Sequence, residues 1–76
     1  MKALKNFRTL DIYTRFVEGK VIRKEEEAQR FDVNERTIQR DIDDIRAFLS
    51  ERRVNGCENK KIEYSYDKKG FIMVDV

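Results

Sequence analysis

The stretch VNERTIQRDIDDIR, Val33 to Arg46, decides how this chain is read. Ile38, Ile42 and Ile45, continued by Leu49, recur every three or four residues, with Phe48 at the edge of the row. That spacing is the period of a helix burying one narrow apolar stripe. Asn34 stands where the helix should begin, and its side-chain oxygen is suited to accept from an unpaired N–H of the first turn. At about 100° per residue, Arg36, Arg40, Asp43 and Ala47 fall opposite the stripe, flanked by Thr37 and Gln39. Arg36 and Arg40 lie one turn apart, a like-charge pair that costs an isolated helix about 0.2–0.5 kcal/mol. The arrangement asks what lies outside the helix to receive them.

Working outward, Asp32, Val33 and Asn34 interrupt the pattern, and KEEEAQRF before them reads as a second, short helix with Ala28 and Phe31 inward. Glu25, Glu26 and Glu27 occupy its first turn, where negative charge suits the positive end of the dipole. Lys20 to Arg23 form an extended bridge that brings Val21 and Ile22 to the core. Earlier still, Phe7, Leu10, Tyr13, Phe16 and Val17 mark a first helix ending at Gly19. Beyond Asn55-Gly56 the period changes: Ile62, Tyr64 and Tyr66 alternate with polar residues, as a half-buried strand requires. DKKG then turns the chain, with Gly70 expected to supply a positive φ, and FIMVDV returns. Tyr64 and Tyr66 read as core cover rather than stacking platforms. The spacing predicts helices near 7–18, 24–31 and 35–52 and a hairpin near 61–75, an α+β, mainly α, fold forming one domain over 1–76.

Composition narrows the chemistry. Of 76 residues, 42% are charged, 39% are hydrophobic, and none is histidine. Without histidine, and with Cys57 alone, there is no Ser-His or Cys-His nucleophile pair and no zinc site of the usual N/S kind. No cofactor and no enzymatic activity are expected. No apolar run approaches the roughly 20 residues of a membrane span, and MKALKNFRTL lacks a secretory h-region. A lone cysteine suits a reducing compartment, so a cytoplasmic location is expected. Net charge is only +2, which leaves the placement of the charges to carry the functional argument.

Two short helices joined by a three-residue turn, with small Ala28 at their approach, describe a helix-turn-helix, and the terminal hairpin makes it winged. The second member of such a pair enters the DNA major groove with its first turns. Glu35, Arg36, Thr37, Gln39 and Arg40 are thus the candidate base-reading residues. Arginine forks guanine, glutamine bridges adenine, and the threonine methyl packs on thymine. Arg23, Lys24 and Asn34, together with Lys68 and Lys69 on the hairpin, are candidates for backbone or wing contacts. Lys2, Lys5 and Arg8 add an acid-free basic run to the phosphate side. Two other readings remain open: Arg40 pairing with Asp43 or Asp44 on a solvated face, and Lys68 and Lys69 simply protecting a sheet edge. A protein-interaction module on the same fold is the alternative function, suggested by Asp41, Asp43 and Asp44.

ERTIQRDIDDIR, with KEEEAQRF before it and KIEYSYDKKGF after it, resembles the N-terminal winged helix-turn-helix domain of DeoR-like, WYL-domain bacterial transcriptional regulators. The resemblance runs from Phe7 to Val74. It implies sequence-specific binding of double-stranded DNA, with contact roles for Asn34, Glu35, Arg36, Thr37, Gln39 and Arg40. It also implies a possible homodimer, and an effector ligand, if any, bound by a C-terminal region absent from this chain. The chain then corresponds either to an excised DNA-binding domain or to a short relative without a sensor. Three positions depart from the pattern: Asp32 where the turn usually has glycine, Arg23 in place of a small N-cap, and Glu27 where an apolar residue is common. Glu27 leads to the expectation of a looser, partly exposed second helix.

Overall fold

The computed structural model describes residues 4–76, so Lys2 lies outside the described residues. Helices α1 (Lys5–Val17), α2 (Lys24–Phe31) and α3 (Glu35–Val54) are followed by strands β1 (Lys60–Ser65) and β2 (Gly70–Asp75). Three helices and a β-hairpin wing is therefore the architecture. Relative to the expected limits, α1 starts a half-turn earlier and α3 runs two residues further.

Each helix ends in the same way, on a residue with positive φ: Gly19, Asp32 and Gly56. In each case the following N–H reaches back to a carbonyl of the last turn: Lys20 to Arg15, Val33 to Ala28, and Cys57 to Arg52. These Schellman closures satisfy carbonyls that the helix leaves unpaired. Asp32 takes φ 55°, a conformation aspartate tolerates better than most residues.

The core joins Ile12 and Phe16 of α1, Ile22, Ala28, the α3 row Ile38, Ile42, Ile45 and Leu49, and Ile62 and Phe71 of the hairpin. The inner face of α1 differs from the expected one. Arg8, Ile12 and Phe16 are buried and Tyr13 packs against the core, whereas Phe7, Leu10 and Val17 are 59–67% exposed. Two ion pairs explain the rotation. Arg8 donates to Asp41 through both Nε and Nη2, and both residues are buried. Arg15 forks Glu27, Nη1 to Oε2 at 2.7 Å and Nη2 to Oε1 at 2.6 Å. Arg8, Ile12, Arg15 and Phe16 share one face of α1, and turning Phe7 and Leu10 inward would take the arginine forks away from both buried acids.

Glu27 is consequently the reverse of a loosening residue. It is 2% exposed and ties α2 to α1. Arg8 likewise leaves the set of phosphate-side charges. Its hydrogen bond to Asp41, opposed by burial, holds the guanidinium above the ordinary arginine value. The part of the stability that comes from this raised arginine value is fully present below the ordinary arginine value and is lost as pH climbs through the raised one.

The hairpin is antiparallel, with Ile62 opposite Met73 and Tyr64 opposite Phe71. A third element completes it: the N–H groups of Ile22 and Phe71 donate reciprocally to each other's carbonyls. Gly70 does not supply the positive φ of the turn; Lys69 does, at φ 58°. Gly70 is instead required by close approach, since a Cβ there would stand 2.5 Å from Val21 Cγ1 and 3.0 Å from the Ile22 carbonyl oxygen. Tyr64 rests edge-on against Phe71, with centroids 5.2 Å apart. Tyr66 lies in the turn, 86% exposed, so it does not cover the core.

Two stability outcomes are expected. Gly70→Ala should destabilise by about 1–3 kcal/mol in urea unfolding, the cost of overpacking a filled site; an unchanged midpoint would contradict the close approach. Arg15→Leu should cost up to about 3–5 kcal/mol by taking both short hydrogen bonds from the buried Glu27 carboxylate and leaving it only the more exposed Arg30, 3.6 Å away. Adding Glu27→Leu should recover most of that loss, because both charges are then removed.

Candidate nucleic-acid interface

The site begins with Asn34. Its Oδ1 accepts from the Thr37 N–H at 2.9 Å and from the Thr37 hydroxyl at 3.2 Å. This capping is possible because Asn34 is extended, φ −85° and ψ 165°, while Glu35 already begins the helix. Ile38, Ile42 and Leu49 are fully buried, and Ala28 brings α2 close against the same helix. The opposite face of α3 is thereby directed at solvent.

Glu35, Arg36 and Arg40 are exposed there, while Thr37 and Gln39 are half-buried at the flanks. The polar ends of the flanking pair are engaged: Thr37 with Asn34, and Gln39 through its amide N–H to Asp43 Oδ1 at 3.0 Å. Neither Asp43 nor Asp44 takes Arg40. Asp43 lies 3.6 Å from Arg46, and Asp44 lies 3.1 Å from Lys5. Both acids keep more than half of their side-chain surface in solvent. The acidic cluster is smaller than its sequence suggests, since Asp41 is buried beneath the helix with Arg8.

The nine arginines divide sharply. Arg8, Arg15, Arg23, Arg30 and Arg46 each meet an acid. Arg52 and Arg53 donate to the carbonyls of Cys57 and Lys60. Arg36 and Arg40 alone have neither an acid nor a hydrogen-bond partner among the described residues. They sit one turn apart on the outward face, with side chains separated by roughly 5–6 Å at Cβ.

The basic positions before α2 and in the wing come together. Arg23 donates from Nη2 to the Lys68 carbonyl at 2.7 Å and lies 3.6 Å from Glu26. Its guanidinium is therefore a strut that seats the wing against the start of α2. Lys24 is half-buried, and Lys68 and Lys69 are exposed. Asn34 commits its oxygen to the cap, leaving the amide N–H groups for any backbone contact. A further cationic cleft was not legible in the sequence. Arg46, Arg53 and Lys61, with Ala47, Ser50 and Ile62, line a depression of about 430 Å³ between α3 and β1. Arg46 and Arg53 lie two turns apart on α3, but only the return of β1 brings Lys61 and Ile62 against them to form the cleft.

Among the described residues no group of acids and cysteine is arranged to hold a metal ion, and no helix is long and apolar enough to cross a membrane. Compared with protein-family models, curated proteins and solved structures, the chain matches none.

Asn34→Ala should lower stability by about 1 kcal/mol, the usual cost of losing an N-cap. It should also speed amide hydrogen exchange selectively at Thr37; exchange that stayed at the parent rate there would exclude the capping role.

Proposed function

We propose that this chain is the DNA-binding domain of a bacterial transcriptional regulator, of the kind the DeoR-like, WYL-domain resemblance implies. In this reading α3 enters the major groove of double-stranded DNA, and the wing lies on the backbone or in the minor groove. The observation that carries the proposal is the sorting of the arginines. Among the described residues, Arg36 and Arg40 alone are left without an acid or a hydrogen-bond partner, side by side on the exposed start of a capped helix. A polyanion offsets their mutual repulsion, and guanine edges match their bidentate forks at about 1–3 kcal/mol of discrimination for each good pair.

The roles of the neighbouring residues follow from this assignment. Arg40 and Arg36 read bases; Glu35 restricts which bases are accepted, because an acid tolerates only donors such as the cytosine amino group. Thr37 and Gln39 exchange intramolecular partners for DNA on binding. Lys68, Lys69 and Lys24 supply sequence-independent contacts to phosphates, while Arg23 keeps the wing in place. Such a regulator acts in the cytoplasm, without a cofactor and without catalysis.

The test is duplex selection from a random pool, followed by binding measurements across salt concentrations. Arg40→Ala should abolish preference for the selected duplex while leaving residual non-specific affinity. Lys69→Ala should weaken selected and unselected duplexes alike and reduce the salt slope by about one. Selectivity that survived Arg40→Ala would remove the base-reading assignment. Failure to bind any duplex, with salt-insensitive binding to a protein instead, would favour the interaction-module alternative.

A further inference from the structure

The cleft between α3 and the hairpin is a second cationic surface, and the reading residues do not include it. Arg46, Ser50 and Arg53 of α3 and Lys61 of β1 line one depression of about 430 Å³, with Ala47 and Ile62 completing its wall. Arg46 and Arg53 stand about 10 Å apart along the helix axis. The hairpin holds both in place: Arg46 lies over the Phe71 ring at 5.3 Å, and Arg53 donates to the Lys60 carbonyl. Ser50 and Lys61 are exposed. The acids at the rim compensate this charge only loosely. Asp43 is 3.6 Å from Arg46 and Glu63 is 3.8 Å from Lys61, both pairs partly in solvent, where an ion pair contributes about 0–1 kcal/mol. Asp43 also accepts from Gln39. Three cations with two such acids beside them leave the cleft electropositive.

We infer that this cleft seats a phosphodiester of duplex DNA, so that one strand's backbone passes between α3 and β1. This role rests on the proposed placement of α3 in the major groove, and it adds residues to which that placement assigns nothing. Ala47, on the wall of the cleft, continues the outward row of Arg36, Arg40 and Asp43. The cleft therefore opens at the far end of the face that carries the reading residues. Ser50 follows Arg40 by about 15 Å along the axis, whereas the major groove is about 12 Å wide. When the first turns of α3 point into the groove, its later turns reach the phosphates at the groove's edge. With the wing on the backbone or in the adjacent minor groove, the strand dividing the two grooves runs through the gap between helix and hairpin. There Arg46 and Lys61 supply charge from opposite walls, Arg53 adds charge at the far end, and the Ser50 hydroxyl donates to a phosphate oxygen.

The experiment measures duplex binding across salt concentrations for variants at the exposed cleft positions, with folding checked by circular dichroism. One phosphate contact contributes about 0.9 to the slope of log affinity against log salt. Lys61→Ala should lower that slope by about one and weaken selected and unselected duplexes alike, about five- to tenfold near 0.1 M salt. Lys61→Arg should restore both. Ser50→Glu, which sets a carboxylate in the cleft, should weaken binding tenfold or more without changing which duplex is preferred. A single uncharged methylphosphonate, moved along each strand, then locates the contact. At one position beside the reading site it should weaken the parent by the same factor, yet have little further effect on Lys61→Ala. Parental affinity and slope in Lys61→Ala, or losses that simply add at every phosphate, would overturn the cleft assignment while leaving α3 in the groove. A parent that bound no duplex at any salt concentration would instead remove the groove placement, and the role of the cleft with it.

Discussion

Everything in this molecule is referred to the burial of α3. Ile38, Ile42 and Leu49 expose no surface and Ile45 almost none, and each such side chain contributes about 1.5–3 kcal/mol relative to exposure. Because the four residues form one narrow row, burying them fixes the rotation of the helix about its own axis. That rotation sets which residues α3 offers to solvent, and it sets them all together. The Asn34 cap then fixes where the helix starts, and with it the level at which Arg36 and Arg40 project.

Around this element the charges are sorted rather than scattered. Two arginines of α1 are drawn inside, Arg8 to Asp41 on α3 and Arg15 to Glu27 on α2. Buried pairs of this kind add little net stability, because desolvation opposes their attraction, but breaking one is costly. Their effect here is to specify: α1 can turn only the face carrying both arginines toward its neighbours. The same selection that completes the scaffold leaves Phe7 and Leu10 outside and leaves two arginines of α3 without partners among the described residues.

The wing is positioned by backbone rather than by a large core. Ile22 and Phe71 exchange two hydrogen bonds, Gly70 permits their close approach, and Arg23 grips the Lys68 carbonyl. Arg46 lies over the Phe71 ring at 5.3 Å, so the hairpin is also held by the later turns of α3. The proposed reading helix and the wing are thus parts of one connected unit.

Much of this was legible before any coordinates. The spacing of Ile38, Ile42, Ile45 and Leu49, the cap at Asn34, the break at Asp32 to Asn34 and the alternation around Ile62 are local signals, and local backbone geometry answers to them. So are the outward positions of Arg36 and Arg40, because a single unambiguous stripe leaves no other rotation. In α1 the signals competed: Phe7, Leu10 and Val17 match the helical period as well as Ile12 and Phe16 do. Only tertiary contact decided between them, because the deciding partners, Asp41 and Glu27, lie 33 and 12 residues away from their arginines. The role of Gly70 was hidden for the same reason, since the atoms that crowd it belong to Val21 and Ile22. The sequence by itself determined the elements and the outward face of α3, through interactions within one or two helical turns. The charged seams, the seating of the wing and the exposed face of α1 were decided by the tertiary structure, because each depends on groups that meet only when the chain is folded.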